Sequence, residues 1–310
     1  MPKPSVDVVI PIFNEESCLP EMIRRLLELR SQNIDTYDIR AIFVDDGSSD
    51  ESRKILEQSS DEFGWVSVLI LSRNFGHQIA VTAGMDASKA DFVAVIDGDL
   101  QDPPELIIDM LSQLSLNGDS IVYGQRIARD GESKFKIMTA RFFYRAIRRY
   151  SNLEIPLDTG DFRVMTAIAN KRITSLREHN RFLRGLAPWT GLKSSSFPYT
   201  RDGRYAGTTK YTLRKMIVLA FNAFVSFSVT PLRAIQGLGV ALASSGVCAL
   251  LLAAILAATQ QSIPGYVYVI LVNWVMTGVI VASIGVVGGY VHRIQDEVRD
   301  RPLYFLEKDE

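Results

Sequence analysis

Apolar runs alternate with amphipathic stretches through the first 125 residues. Val6–Phe13 is nearly continuous in apolar residues and closes on Asn14-Glu15-Glu16, the pattern of a buried parallel strand. Leu19, Ile23, Leu26, Leu27 and Leu29 then fall on one side of a helix predicted over Glu16–Arg30. The alternation continues with strands predicted at Ile39–Val44, Val66–Leu71, Phe92–Ile96 and Ser120–Tyr123. Between them lie helices predicted at Asp50–Gln58, at Gln78–Ser88, and from Pro103-Pro104 to about Leu116, proline being favoured in a first helical turn. Strand–helix alternation of this kind predicts an α/β fold, with a mostly parallel sheet covered on both faces.

Beyond residue 125 the pattern changes. Arg126, Arg129, Lys134, Lys136, Arg141, Arg145, Arg148 and Arg149 crowd one stretch, against only Asp130 and Glu132. Lys134, Arg141, Arg145 and Arg148 share one helical face, while Phe135, Met138, Phe142 and Ala146 lie on another. Such a helix suits an anionic membrane surface, and equally the solvated side of an ordinary packed helix. Met216–Leu232 is apolar but interrupted by Asn222, Ser226, Ser228, Thr230 and Pro231, which favours an interfacial or buried helix over a span.

Residues 234–291 contain no Asp, Glu, Lys or Arg, whereas about 20 apolar residues cross a bilayer. Two spans are expected, at about 235–258 and 267–290, joined by a turn at Gln260-Gln261-Ser262-Ile263-Pro264-Gly265. Arg233, Arg293 and Arg299 flank the spans and the turn carries no basic residue, so the positive-inside bias places the N-terminal part and the tail in the cytoplasm. The organisation expected is a cytosolic domain over 1–215, an interfacial helix and linker over 216–233, two spans within 234–291 and a cytosolic tail over 292–310, in a multi-pass membrane protein. Gly285 and Gly289, four apart, permit close helix packing and a homo-oligomer, although glycine is common in spans anyway. The N-terminus shows no signal-peptide pattern. Cys18 and Cys248 do not suggest a disulfide framework. A formal net charge of −1 gives no bulk attraction to nucleic acid.

The candidate chemistry sits at four predicted strand ends. These are Pro11-Ile12-Phe13-Asn14-Glu15-Glu16, Asp45-Asp46-Gly47-Ser48-Ser49-Asp50, Ser72-Arg73-Asn74-Phe75-Gly76-His77 and Asp97-Gly98-Asp99-Leu100-Gln101-Asp102. In a parallel sheet such ends share one edge and one crevice. Asp97 and Asp99, separated by a single glycine, repel each other and raise each other's pKa. A hard divalent cation relieves that repulsion, and Mg²⁺ or Mn²⁺ keeps open positions for substrate phosphates. Arg126, Arg201 and Arg204, with Lys210, are placed to meet phosphate, since guanidinium forks match its oxygens. His77 reads as a structural histidine or a peripheral contact.

The ordered runs "VVIPIFNEE", "FVDDGSSD", "LSRNFGHQIA" and "VIDGDLQDPPE" resemble the GT-A fold of family 2 glycosyltransferases, and within it the polyprenyl-phosphate branch. "GDFRVM", "RFLRGL", Trp189, "YTRDGRYAGTTKY" and "FSVTPLR" extend the resemblance over about residues 6–233. It implies a Rossmann-like sheet followed by interfacial helices and two C-terminal spans. It implies Asp99 as metal ligand with Gln101 and Asp97 beside it, Pro11, Phe13, Asn14 and Glu15 along the nucleotide, and Asp45 or Asp46 at the base. Asp161 falls near the transferred sugar, and Arg129 and Lys134 in an acceptor loop that Arg126 begins. The implied activity is inverting transfer of one sugar from a nucleotide-sugar to polyprenyl (undecaprenyl) phosphate. UDP-glucose is the favoured donor, with GDP-mannose or an aminoarabinose-type donor as alternatives. A transferase acting on a sugar chain would bring a Gln-x-x-Arg-Trp motif and more spans. A non-catalytic adaptor would have no use for Asp97, Asp99, Gln101 and Asp161 together.

Overall fold

The structure, a computed structural model, describes residues 3–127, 159–179, 181–200 and 265–307. The chain divides into two units: Met1–Ala223 with Pro302–Glu310, and Phe224–Arg301.

The first unit is built on one sheet. Its strands are β1 (Ser5–Ile12), β2 (Asp38–Asp45), β3 (Val66–Ile70), β4 (Phe92–Val95), β5 (Ile121–Arg126), β6 (Thr159–Thr166) and β7 (Ser194–Tyr199). Their order across the sheet is β3-β2-β1-β4-β6-β5-β7. β1 pairs in parallel with β2 and β4, and β2 with β3. β6 runs antiparallel between β4 and β5, and β7 is parallel to β5. The carboxyl ends of β1 to β5 and the start of β6 therefore share one edge.

The helices are α1 (Leu19–Gln32), α2 (Ser52–Glu62), α3 (His77–Ala87), α4 (Leu106–Asn117), α5 (Ala167–Ser175) and α6 (Leu183–Trp189). α1 buries Leu19, Met22, Ile23, Leu26 and Leu29, four of them expected as its apolar side. α3 buries every residue from Ala80 to Met85, so it is a core helix rather than an amphipathic cover. Arg181 closes α5 by donating to the carbonyls of Leu176 and Ile173, the groups a helix end leaves without partners.

Several expectations need adjusting. Pro103 and Pro104 do not start α4. Their carbonyls accept from the amides of Leu106 and Ile107 in the turn before it. The sequence pattern does not predict β6, because Asp161 and Arg163 break its apolar run, yet seven of its eight residues are buried. Nor does it predict β7, α5 or α6. The basic helix of 126–149, apart from its first two residues, lies outside the described residues, as do the segment 216–232 and the first span. The second span falls in α7 (Gly265–Arg299), a 35-residue helix of the second unit. With only the described residues counted, no helix is long and apolar enough to cross a membrane. The two spans rest on the sequence alone. Cys18 is a buried free thiol.

Residues 302–307 belong to the first unit and continue its sheet. Leu306 bridges antiparallel to Leu71, the Ser72 amide donates to the Phe305 carbonyl, and the Glu307 amide donates to Ile70. Glu307 also pairs with Arg53, and the Tyr304 hydroxyl donates to Asp86. The tail thus covers part of an edge strand, which otherwise invites foreign pairing. A chain ending at Arg301 should show faster hydrogen exchange at Ser72, about five- to tenfold for one lost hydrogen bond. The Leu71 amide, bonded instead to Asp45, should keep its protection. Exchange followed by mass spectrometry after proteolysis checks both.

Candidate active site

The loops after β1 and β2 are stitched together. Asn14 adopts a left-handed φ of 55°, a conformation asparagine tolerates better than most residues. Its amide donates to Ser48 Oγ at 3.0 Å, and its side-chain oxygen accepts from the Ser49 amide at 2.7 Å. The Glu15 amide donates to Ser52 Oγ and the Glu16 amide to Asp50, while Glu16 accepts from the Glu51 amide. Phe13, beside this seam, leaves 39% of its surface exposed and offers an aromatic face at the carboxyl edge of the sheet.

Asp45 and Asp46 are both buried. Asp45 accepts from the Ser48 amide, and Asp46 takes the amides of Phe75 and Gly76 at 2.7 and 2.9 Å. Burial pushes both carboxyl pKa values up, against the amide hydrogen bonds that lower them. Asp46 ties the second cluster to the third, whereas the Asp45 side chain braces its own turn. At the fourth cluster, a Cβ on Gly98 would stand 2.5 Å from Ile12 Cδ1 and 3.2 Å from the Pro11 carbonyl. Only glycine lets the acidic turn approach β1 so closely. The Gln101 amide donates to Asp99 Oδ1 at 3.2 Å.

Asp161 is the centre of charge. Arg184 of α6 grips it with two prongs, Nε to Oδ1 at 3.1 Å and Nη2 to Oδ2 at 3.0 Å. Arg163, buried two residues along β6, donates to Asp161 Oδ1 and to its backbone carbonyl. Gln78 of α3 donates to Oδ2 and accepts from the Leu183 amide. His77, the first residue of α3, brings Nε2 to 3.3 Å from Asp161 and 3.5 Å from Asp97.

Burial alone would raise the Asp161 pKa. Arg184 and His77 outweigh it and hold the carboxyl well below the usual range. Burial would depress His77, but Asp161 and Asp97 raise it to about 9. Asp97 is pushed up to about 6, by burial and by Asp102, Asp161 and Asp99, against the opposing pull of His77.

Ligand atoms of His77, Asp97 and Asp161 all lie within 4.8 Å of one another, the one such group among the described residues. Carboxylates with one imidazole suit Mg²⁺ or Mn²⁺ chemically, once the imidazole gives up its proton. The expected set of Asp99, Gln101 and Asp97 is thus represented in this group by Asp97. His77, expected at the periphery, is central, and sequence reasoning missed Arg163 and Arg184. Arg184 lies within "RFLRGL", where only its convergence on Asp161 reveals its use. Arg126 ends β5 on the same edge. Arg129, Lys134, Arg201, Arg204 and Lys210 lie outside the described residues.

Residues 7–174, more than half of the chain, match Glycosyl transferase family 2. The chain belongs to that family. It is 40% identical to the uncharacterized glycosyltransferase YkcC of Bacillus subtilis, over 97% of this chain and 93% of that protein. It is 32% identical to the SfII prophage-derived bactoprenol glucosyl transferase of Shigella flexneri, over 98% of this chain and 97% of that protein. Among solved structures it is similar to glucosyl-3-phosphoglycerate synthase of Mycobacterium tuberculosis, at 18% identity and TM-score 0.48. That match covers 72% of this chain and 79% of the other. As a family 2 glycosyltransferase of mixed α/β fold, the chain carries its ionisable centre at the carboxyl edge of the sheet, where open α/β folds bind ligands.

The His77 shift has a consequence for stability. A histidine with pKa about 6.5 unfolded and about 9 folded stabilises the native state most below pH 6.5. That contribution is lost as pH rises through 9. In chelator-treated protein, urea midpoints should fall between pH 6.5 and 9 more steeply for wild type than for His77→Gln.

Proposed function

We propose that this glycosyltransferase moves one sugar from a nucleotide-sugar, with UDP-glucose favoured, onto the phosphate of a polyprenyl phosphate at the cytoplasmic face of the membrane. The observation that carries the reading is the gathering of charged groups at one sheet edge. A gripped, ionised Asp161 and the Asp97–Asp99 turn share a sheet edge with Arg126 at the end of β5. Relatives named bactoprenol glucosyl transferases, alike over nearly the whole chain, support the lipid phosphate as acceptor.

The chemistry asks little proton transfer of the protein. A phosphate monoester has a second pKa of about 6, so the acceptor is already an anionic nucleophile at neutral pH. Its oxygen attacks the anomeric carbon from the side opposite the nucleotide, and one in-line displacement inverts that centre. Asp161, held well below the usual carboxylate range, is a poor base. Its work is to orient the sugar, through the Arg184 and His77 side chains that it holds. Phe13, Asn14, Glu15 and Pro11 line the nucleotide, with Asp45 or Asp46 toward the base.

The harder problem is repulsion between two anions. Arg126 clamps the acceptor phosphate by charge and directional hydrogen bonds, joined by Arg129, Lys134, Arg201, Arg204 and Lys210. Asp97 with Asp99 and Gln101, or with His77 and Asp161, would hold a divalent ion, which when bound stabilises the departing diphosphate.

The uncharged residues 234–291 support two spans. Within α7, residues 265–291 carry no Asp, Glu, Lys or Arg, about 40 Å of helix at a rise of roughly 1.5 Å per residue. A hydrocarbon core is about 30 Å thick. Anchoring of this kind keeps the crevice where a lipid's phosphate emerges.

The test offers purified protein a panel of labelled nucleotide-sugars with undecaprenyl phosphate and follows label into the lipid phase. UDP-glucose should label the lipid, and Asp99→Ala should lower that labelling by a factor of about 100 or more while leaving the circular dichroism unchanged. Labelling from GDP-mannose or an aminoarabinose donor would reassign the donor. No lipid labelling from any donor would overturn the acceptor.

A further inference from the structure

The acidic run that carries Asp97 and Asp99 contains a third aspartate that neither metal nor nucleotide explains. Asp102 is fully buried. The Tyr199 hydroxyl donates to its Oδ1, and Arg126 Nη2 lies 3.8 Å from its Oδ2. Tyr199 also accepts from Arg126 Nε at 3.3 Å. Arg126 and Tyr199 are the last residues of neighbouring strands and face each other in register.

The surroundings fix this trio. Phe162 of β6 meets the Tyr199 ring edge-on, with centroids 5.5 Å apart. A Cβ on Gly160 would stand 2.4 Å from Arg126 Nη2, so the guanidinium lies in space that any side chain at 160 would fill. Burial, and next the Asp102 charge, raise the Tyr199 pKa far above its ordinary value. The hydroxyl therefore stays protonated and donates. Among the described residues, Nε–H is the one Arg126 donor engaged in a hydrogen bond. Among those residues its Nη hydrogens make no hydrogen bond, and Nη2 lies 3.8 Å from Asp102.

We propose that Asp102 and Tyr199 are positioning residues for Arg126, fixing its guanidinium so that the Nη face meets the acceptor phosphate. The inference rests on the proposed role of Arg126 as acceptor clamp. The acidic run then serves both substrates, since one end faces the donor and the other holds the acceptor's cation. Arginine is floppy when unsupported, and a pre-set fork loses less freedom on meeting phosphate. At 3.8 Å the Asp102 charge attracts Arg126 without capping its Nη donors.

The test measures KM for undecaprenyl phosphate and for the nucleotide-sugar in full-length wild type, Arg126→Ala, Tyr199→Phe and Asp102→Asn. Tyr199→Phe keeps the ring against Phe162 and removes only the hydroxyl, so it carries the test if Asp102→Asn does not fold. Tyr199→Phe should raise the acceptor KM about tenfold and leave the donor KM within about twofold. Asp102→Asn should act in the same direction. If Arg126→Ala raises the acceptor KM and Tyr199→Phe does not, the positioning role is wrong and the clamp stands. An equal rise in both KM values for Tyr199→Phe would likewise reduce the pair to a structural role. If Arg126→Ala leaves the acceptor KM unchanged, the clamp fails and the inference falls with it.

Discussion

The buried Asp161 carboxylate is the interaction on which the candidate site depends. It joins β6 to α3 through Gln78 and His77, to α6 through Arg184, and to its own strand through Arg163. Isolated, such a charge would be driven to neutralise by loss of solvent. Here two guanidinium groups and an imidazolium keep it ionised. Removing one partner of a buried ion pair typically costs about 3–5 kcal/mol, so this cluster fixes the geometry of three elements as well as its own charge. The fork from Arg184 adds direction, because two parallel N–H bonds define the plane of the carboxylate.

That centre would be useless without the loops around it. The close approach of Gly98 to Ile12 and Pro11 brings the acidic turn against the end of β1. Asp46 draws the loop after β3 toward the loop after β2, and that loop leads straight into His77. The aspartates and serines of "DDGSSD" are thus largely occupied with backbone amides. Their hydrogen bonds hold these loops in shape, an indirect contribution that preorganised sites share.

Much of this is legible in the sequence. β1 to β4 and the helices between them follow from apolar runs that end in polar clusters, because a parallel sheet buries its strands on both faces and exposes their ends. β6 is not legible, since Asp161 and Arg163 place two charges in a strand that is otherwise buried, and only their mutual pairing makes that tolerable. His77 and Arg184 are hidden for a related reason. A lone histidine at a helix start and an arginine in a short apolar helix look ordinary until a distant carboxylate meets both. The prolines after Asp102 suggest a helix start and instead form the turn ahead of it. Asp102, which reads as another loop acid, is the most deeply buried of the run.

Transfer of labelled sugar to undecaprenyl phosphate by Asp161→Asn, measured against wild type and normalised to the folded fraction from circular dichroism, tests the central claim most directly. Asparagine keeps the size of the side chain and removes the charge that Arg184 and His77 surround. The account predicts that transfer per folded molecule falls by a factor of about 100 or more, as for loss of a key electrostatic group. Folded Asp161→Asn protein that transfers at the wild-type rate would contradict it.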